Sequence, residues 1–217
     1  MGAYREFLRI NGMYLLLCDV LERIAGRARS AMIARKLKVK KLSLGPRCQL
    51  RGLACIEMGE DFQCNEGLWL EAVSRYYGQR FTPRIKIGDR VRISHHVHIA
   101  ATTLVEIGDD VLLGSKVVIL DHNHGLYGGA LPEQNTSPEI APSLRPLDSG
   151  KKVFIGRNAW LCDAVVVTAG STIGEGSVIG ANSVVKGEIP PYCIAVGSPA
   201  VVVKRYNPQT ERWEGVR

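Results

Sequence analysis

The residues of this chain that are best suited to chemistry are its five histidines, which all lie within thirty residues of one another. They form two groups: His95, His96 and His98 come first, and His122 and His124 follow. A neutral imidazole near pH 7 can accept a hydroxyl proton, so one well-placed histidine can serve as a general base. Histidine clusters are also common zinc sites. Either chemistry requires a fold that brings the two groups together.

Aliphatic residues recur at every sixth position through much of the chain. The clearest run comprises Ile155, Leu161, Val167, Ile173, Ile179 and Val185. Four places after the first five of these come small or branched residues: Ala159, Val165, Ser171, Ser177 and Ser183. Other copies lie at Ile87, Ile93, Ile99, Ile107, Leu113 and Ile119, at Met58, Cys64 and Leu70, and at Leu44, Leu50 and Ile56. This period fits neither an α-helix nor a half-buried strand, whose periods are about 3.6 and about 2.

A period of six is typical of a triangular parallel β-helix, in which each unit supplies one short strand and one corner, and three units complete a coil. The aliphatic residue points into the prism, and the small residue fits the corner. Strands of successive coils pair in parallel, about 4.8 Å apart. The two histidine groups fall in adjacent coils, so we expect them to share one cleft. We therefore predict an all-β domain of this kind over residues 43–205.

Residues 1–42 are predicted to form an N-terminal amphipathic helical segment. Spacings of three or four residues give it one apolar seam, made of Phe7, Ile10, Tyr14, Leu17, Leu21, Ile24 and Ala28. Residues 1–41 hold ten Lys and Arg residues against three acids, whereas the rest of the chain is balanced, which argues against a nucleic-acid partner. We expect this segment to cap the first coil or to pack on neighbouring subunits. Peripheral contact with an anionic membrane is a second role that it suits.

Two more segments lie outside the ladder. Loop 121–152 is rich in proline and glycine and begins at the second histidine group, so we expect it to shape a substrate pocket. Residues 206–217 are predicted to be a polar C-terminal tail. The six cysteines form no CxxC pair and the chain shows no secretory signal, so we expect buried, reduced thiols in a cytoplasmic protein. The basic N-terminal segment could bring this protein to the inner face of the membrane.

Two stretches carry a resemblance to a known family: IGDDVLLGSKVVILDHNHG, ending at Gly125, and KKVFIGRNAWLCDAVVVTAGSTIGEGSVIGANSVVKGEIPPYCIAVGSPAVVVKR, ending at Arg205. They resemble the hexapeptide-repeat acetyltransferases over about residues 84–205, in the order and spacing of motifs. The nearest members are the lipopolysaccharide O-antigen and capsule O-acetyltransferases, which share the DHNHG motif, and the maltose and galactoside acetyltransferases. The resemblance implies a left-handed β-helix, a homotrimer, and acetyl-CoA bound between neighbouring prisms.

The resemblance also implies site residues. Counted without gaps from Val117, the family's catalytic histidine matches His124, with His122 as the close alternative. The acceptor-binding set comprises Ser94, His95, His96, Asp121 and Asn123. The coenzyme-binding set comprises Trp160, Asp163, Ala181, Lys186, Lys204 and Arg205. The family often has Thr-Lys where this chain has Lys186-Gly187, so the lysines and Arg205 are our candidates for binding the coenzyme phosphates.

The sequence thus predicts an acetyl-CoA-dependent O-acetyltransferase acting on a sugar hydroxyl of a cell-surface polysaccharide, O-antigen or capsule, or of its precursor. A backbone N–H would stabilise the oxyanion. N-acetylation of an amino sugar nucleotide is one alternative, since the same base would serve. A metal-dependent hydratase of the carbonic-anhydrase type is another. That class resembles a His followed by a His pair five residues apart, whereas His122 and His124 are two apart. We therefore expect no metal requirement.

Overall fold

Three sheets, parallel throughout the coils, form the faces of a triangular prism in a computed structural model that describes residues 2–216. The chain visits the sheets in turn and completes six coils, which confirms the predicted left-handed parallel β-helix. Strands are numbered along the chain. The first sheet contains β1 (Ser43–Leu44), β4 (Gln63–Cys64), β9 (Arg92–Ile93), β12 (Leu112–Leu113), β17 (Trp160–Leu161), β20 (Val178–Ile179), β23 (Cys193–Gly197), β24 (Ala200–Asn207) and β25 (Arg212–Gly215).

The other two faces contain six strands each. The second sheet consists of β2 (Gln49–Arg51), β5 (Trp69–Ala72), β10 (His98–Ala101), β13 (Val118–Leu120), β18 (Val166–Val167) and β21 (Val184–Val185). The third sheet consists of β3 (Ile56–Met58), β8 (Ile85–Ile87), β11 (Leu104–Ile107), β16 (Lys152–Ile155), β19 (Thr172–Ile173) and β22 (Glu188–Ile189).

The core is the six-residue ladder, stacked coil upon coil. From Ile155 to Val185, all six aliphatic residues of the clearest run are at most 2% exposed. Burial of each such side chain contributes about 1.5–3 kcal/mol. The small corner residues are buried too, and their hydroxyls are bonded: Ser177 Oγ donates to the Pro190 carbonyl at 2.8 Å and accepts from Cys193 N at 3.1 Å. The corners can therefore be polar without leaving buried groups unpaired.

The helix α1 (Gly2–Leu37) precedes the β-helix and is interrupted at Gly12, whose φ of 78° and ψ of 168° are not helical. Its C-terminal end caps the first coil. Ser30 is buried and its Oγ accepts from Leu44 N at 3.0 Å, and the Arg29 guanidinium donates to the carbonyls of Gly45 and Cys48.

Much of the apolar seam of α1 is exposed in the single chain. More than half of each side chain is exposed in the single chain at Ile10, Tyr14, Leu17, Leu21 and Ile24, and the Phe7 side chain lies outside the described residues. Among the described side chains, those that bond to the first coil, Arg29 and Ser30, lie in the last third of α1. In the described part of the chain, no helix is long and apolar enough to span a membrane.

Two insertions leave the β-helix where the second sheet turns to the third. One is the hairpin of β6 (Arg75–Tyr76) and β7 (Gln79–Arg80), between β5 and β8. The other is the long loop between β13 and β16. It contains short 3₁₀ turns at Pro132–Gln134 and Pro142–Leu144 and an antiparallel pair, β14 (Asn123–His124) with β15 (Leu147–Asp148).

The predicted C-terminal segment 206–217 contains a strand, β25. Strand β25 pairs with β24 and thereby extends the first sheet. Tyr206 and Trp213 also pack edge to face, with ring centroids 5.5 Å apart.

All six cysteines are free thiols, as expected. Cys48, Cys64 and Cys193 are buried, while the other three are only partly covered.

Candidate active site

The residues predicted from the sequence lie on two edges of the prism. The first edge, where the first sheet turns to the second, carries Ser94, His95 and His96 and, in later coils, Asp163 and Ala181. The second edge, where the second sheet turns to the third, carries residues 121–124 and Lys186. Within one chain, the second sheet separates the two sets. A single prism therefore does not assemble all of them into one cleft.

A column of polar groups runs along the first edge over three coils. Ser115 Oγ donates to Ser94 Oγ at 3.2 Å, and Ser115 N donates to Asp163 Oδ1 at 2.6 Å. His95 and His96 are exposed beside Ser94, and His96 takes the left-handed φ of 55° that this corner repeats in other coils. The predicted acceptor and coenzyme contacts on this edge are thus linked through Ser115.

Asp121 is fully buried at the second edge, at the point where the chain leaves the β-helix. Its carboxylate accepts from the backbone N–H groups of Thr102 at 2.8 Å, Thr103 at 2.7 Å and Leu104 at 2.8 Å, and from His122 Nδ1 at 2.9 Å. Burial would raise the pKa of Asp121, but the bonds from His122 and from the Thr102 and Thr103 backbone outweigh it, so the pKa is lowered. In the single chain the carboxylate therefore holds the corner and His122, and a substrate contact at Asp121 stays a prediction.

His124 lies on β14 and is exposed, with its backbone paired to Leu147. Its Nδ1 is 3.2 Å from Tyr76 Oη, and the two rings meet edge to face with centroids 5.2 Å apart. Tyr76 Oη donates to the Ser143 carbonyl at 2.6 Å. A phenol has a single hydrogen, so in this network Tyr76 accepts from His124 Nδ1–H, and Nε2 keeps the lone pair of a base.

Hydrogen bonds from the hairpin fix the loop that carries His124. The Gln79 side chain pairs with the Leu147 backbone: Nε2 donates to the carbonyl at 3.2 Å, and Oε1 accepts from the N–H at 2.7 Å. Within the loop, Tyr127 Oη donates to the His124 carbonyl at 2.8 Å and accepts from Arg145 Nη1 at 2.8 Å. The loop therefore has a defined shape at the histidine, and Asn123 is exposed beside it.

His98 lies on β10 in the second sheet, apart from His95 and His96 on the first edge. Its ring stacks on Trp69, with centroids 4.3 Å apart and planes 17° apart, and Trp69 Nε1 donates to Glu71 Oε2 at 2.8 Å. Burial lowers the pKa of His98; Glu71 opposes the shift and His122 adds to it, so the two imidazoles interact. His95 and His96 lie on the other edge, so within one chain they do not share a cleft with His122 and His124.

The predicted coenzyme-binding residues are spread over several elements. Trp160 projects outward from the first sheet with 47% of its surface exposed. Lys204 and Arg205 are exposed on β24, which extends the same sheet, and Lys186 is exposed on the second edge. All four are accessible to a ligand, but they do not surround one cavity of a single chain.

Sequence reasoning missed Tyr76 and Gln79. Their one signal is that both lie where the ladder is interrupted between Leu70 and Ile87, in an insertion at the same corner as the histidine loop.

Among residues 2–216, no three His, Cys, Asp or Glu side chains are arranged to hold a metal ion. Together the side chains at the second edge provide two imidazoles, each with Nδ1 in a hydrogen bond.

The comparisons with known proteins agree with the family resemblance seen in the sequence. Residues 152–187 match the model of the bacterial transferase hexapeptide family (six repeats). The chain is 42% identical over 167 residues to the putative lipopolysaccharide biosynthesis O-acetyl transferase WbbJ of Escherichia coli, covering 77% of this chain and 80% of that protein. It is 30% identical to the galactoside O-acetyltransferase of Escherichia coli over 149 residues, which are 68% of this chain and 66% of that protein.

Solved structures share the fold. AntD, an N-acyltransferase from Bacillus cereus in complex with dTDP and 3-hydroxybutyryl-CoA, superposes with a TM-score of 0.60 at 19% identity, covering 80% of this chain and 82% of that one. A hexapeptide-repeat acetyltransferase from Vibrio cholerae, complexed with acetyl-CoA, superposes with a TM-score of 0.51 at 22% identity, covering 83% of this chain and 78% of that one.

Proposed function

Because the chain belongs to the hexapeptide-repeat acetyltransferases and is an acyltransferase, we propose that it moves acetyl from acetyl-CoA to a sugar hydroxyl of a cell-surface polysaccharide, such as an O-antigen or capsule, or of its precursor. The acceptor class is supported by the relative named for lipopolysaccharide biosynthesis, which this chain matches over 80% of that protein's length. The donor is the one with which the hexapeptide-repeat neighbour was solved.

The single observation that carries the proposal is the orientation of His124. With Nδ1–H bonded to Tyr76, Nε2 can take the proton of the sugar hydroxyl while the oxygen attacks the thioester carbonyl carbon. A tetrahedral oxyanion forms, which a backbone N–H stabilises. When the carbon–sulfur bond breaks, the protonated His124 returns its proton to the coenzyme thiolate. The products are the sugar acetate and free coenzyme A.

We further propose that the site is completed between chains of a homotrimer. The acceptor and coenzyme contacts at Ser94, Asp163 and Ala181 lie on the first edge, and His124 and Lys186 lie on the second. If the first edge of one prism faces the second edge of the next, the groove between them holds both sets. Light scattering should then give three times the 23.8 kDa chain mass, and a monomer with full activity would contradict this arrangement.

The helix α1 is proposed to rest on the inner face of an anionic membrane. Its N-terminal part exposes a row of large apolar side chains that includes Leu17 and Leu21, and eight basic residues without an acid lie between Arg23 and Lys41. The full chain should sediment with vesicles containing phosphatidylserine, and Leu17→Glu/Leu21→Glu should reduce this. Equal sedimentation of the two proteins would contradict membrane contact through the seam.

The test of the function is release of free coenzyme A thiol from acetyl-CoA, measured across neutral sugars, amino sugar nucleotides and polysaccharide repeat fragments. We expect turnover with an acceptor that has only hydroxyl groups, giving a product whose acetyl group mild alkali removes, as it does from an ester. Turnover restricted to amino sugars, with an alkali-stable amide product, would replace O-acetylation by N-acetylation. Absence of both turnover and acetyl-CoA binding would overturn the donor as well.

A further inference from the structure

We propose that Tyr76 is a positioning residue for His124, and that the hairpin of β6 and β7 sets the tautomer and direction of the catalytic base. The inference rests on the proposed function, in which His124 is that base. Tyr76 lies 48 positions before His124 in the chain and outside the family-like residues 84–205, in an insertion between β5 and β8.

His124 requires support because it does not lie on the β-helix itself. Its strand, β14, has two residues and pairs with only two others, and the imidazole is exposed. An exposed histidine on a short strand can rotate about its side-chain bonds and exchange between its two neutral tautomers. In one of these tautomers Nε2 carries the hydrogen, so it cannot accept the hydroxyl proton.

Tyr76 removes this freedom because its hydroxyl is itself fixed. The hydroxyl donates its one hydrogen to the Ser143 carbonyl at 2.6 Å, so only its lone pairs are available to His124 Nδ1 at 3.2 Å. An acceptor at Nδ1 selects the tautomer with the hydrogen on Nδ1. The edge-to-face contact of the two rings restricts rotation of the imidazole.

The hairpin also fixes the strand opposite His124. Leu147 pairs with His124 in the antiparallel β14–β15 ladder, and the Gln79 amide makes two hydrogen bonds to the Leu147 backbone. Tyr76 and Gln79 are themselves paired in the hairpin. One rigid element therefore holds the imidazole through Tyr76 and its backbone partner through Gln79.

The experiment compares Tyr76→Phe with Tyr77→Phe, a control in which the adjacent and 67% exposed tyrosine loses its hydroxyl. Phenylalanine keeps the ring contact with His124 and removes the acceptor. We expect kcat to fall about tenfold or more in Tyr76→Phe because the wrong tautomer is inactive, with the KM for acetyl-CoA within about twofold of wild type. The control should keep the wild-type kcat.

A second measurement reports the hydrogen bond without turnover. Long-range proton–nitrogen spectra of the ¹⁵N-histidine-labelled full-length protein, assigned with His124→Ala, should show hydrogen on Nδ1 in wild type and in Tyr77→Phe, and a mixture of tautomers in Tyr76→Phe. A wild-type kcat in Tyr76→Phe, or an unchanged His124 spectrum, would overturn the inference. An inactive wild-type protein that still shows the tautomer change would instead contradict the proposed function alone.

Discussion

Adjacent side chains of the DHNHG segment have different surroundings, and their roles differ accordingly. Asp121 is buried and saturated with hydrogen bonds, His122 is nearly buried against it, and His124 is exposed on the loop. A base that must meet a sugar hydroxyl needs an accessible ring, which favours His124. His122 is held by the Asp121 carboxylate and is only 9% exposed, so its ring is less accessible to a sugar.

The first prediction concerns Asp121→Asn. An amide in place of the carboxylate presents at least one N–H to the donors of Thr102, Thr103 and Leu104, so buried groups lose their acceptor. The loss should be about 3 kcal/mol, which lowers the apparent Tm by roughly 6–12 °C at fixed protein concentration. Asp163→Asn is the control: that carboxylate is exposed, so its loss should shift Tm far less.

The same comparison has a defined pH dependence. Because the folded protein lowers the pKa of Asp121, the ionised carboxylate stabilises the fold above the ordinary value of 3.8, and this stabilisation is lost as the pH falls through the lowered value. The Tm difference between wild type and Asp121→Asn should be full near neutral pH and narrow below pH 3.8. A difference that grows on acidification would contradict the role given to the carboxylate.

At the scale of elements, the hairpin and the loop act as one unit. Both insertions leave the β-helix at the second edge, two coils apart, and the Thr102–Thr103 corner lies between them. Thr103 Oγ1 accepts from Gly150 N at 2.9 Å, so the end of the loop is tied back to that corner. The regular coils supply a rigid support, and the irregular segments supply the site.

Gln79→Ala tests this unit. Removing the Gln79 amide takes away two hydrogen bonds, one to the N–H and one to the carbonyl of Leu147. The loop around His124 should therefore open more often. We expect amide exchange in residues 121–151 to become faster and kcat to fall several-fold, while exchange in the core strands stays the same. Gln134→Ala serves as the matched control, because this exposed glutamine accepts a hydrogen bond from Leu131 N within the same loop and not from the hairpin. Unchanged exchange around His124 would mean that the hairpin does not hold the loop.

The sequence predicted the coils well because their information is local and repeated. Every sixth residue from Ile155 to Val185 is buried, as the period requires. It could not predict the Tyr76–His124 contact, because both residues lie in insertions without a period and are 48 positions apart. The structural role of Asp121 could not be predicted for a related reason: its buried partners at Thr102–Leu104 lie in the preceding coil, and the DHNHG segment alone does not reveal them.

At the scale of the molecule, the outstanding feature is that the candidate site is divided between two edges of the prism. His124 and Lys186 lie on one edge, and Ser94, Asp163 and Ala181 lie on the other. The proposed groove between neighbouring chains would bring the two exposed sets together.

Subunit mixing tests this division. His124→Ala should inactivate the second edge, and Ala181→Trp should block the first, where Ala181 is exposed. Each variant alone should be inactive. Trimers refolded from an equal mixture should regain about a quarter of the wild-type activity, because about one groove in four then pairs two intact edges. If the mixed trimers regain no activity, each chain carries a whole site.

The measurement that tests the central claim most directly is the kcat of His124→Ala for acetyl transfer, at saturating acetyl-CoA and with the acceptor that wild type uses best. If His124 takes the hydroxyl proton, kcat should fall by about 10²–10⁴-fold while acetyl-CoA still binds with wild-type affinity. If His124→Ala turns over at the wild-type rate and His122→Ala does not, the base is His122 and the account of His124 and Tyr76 is contradicted.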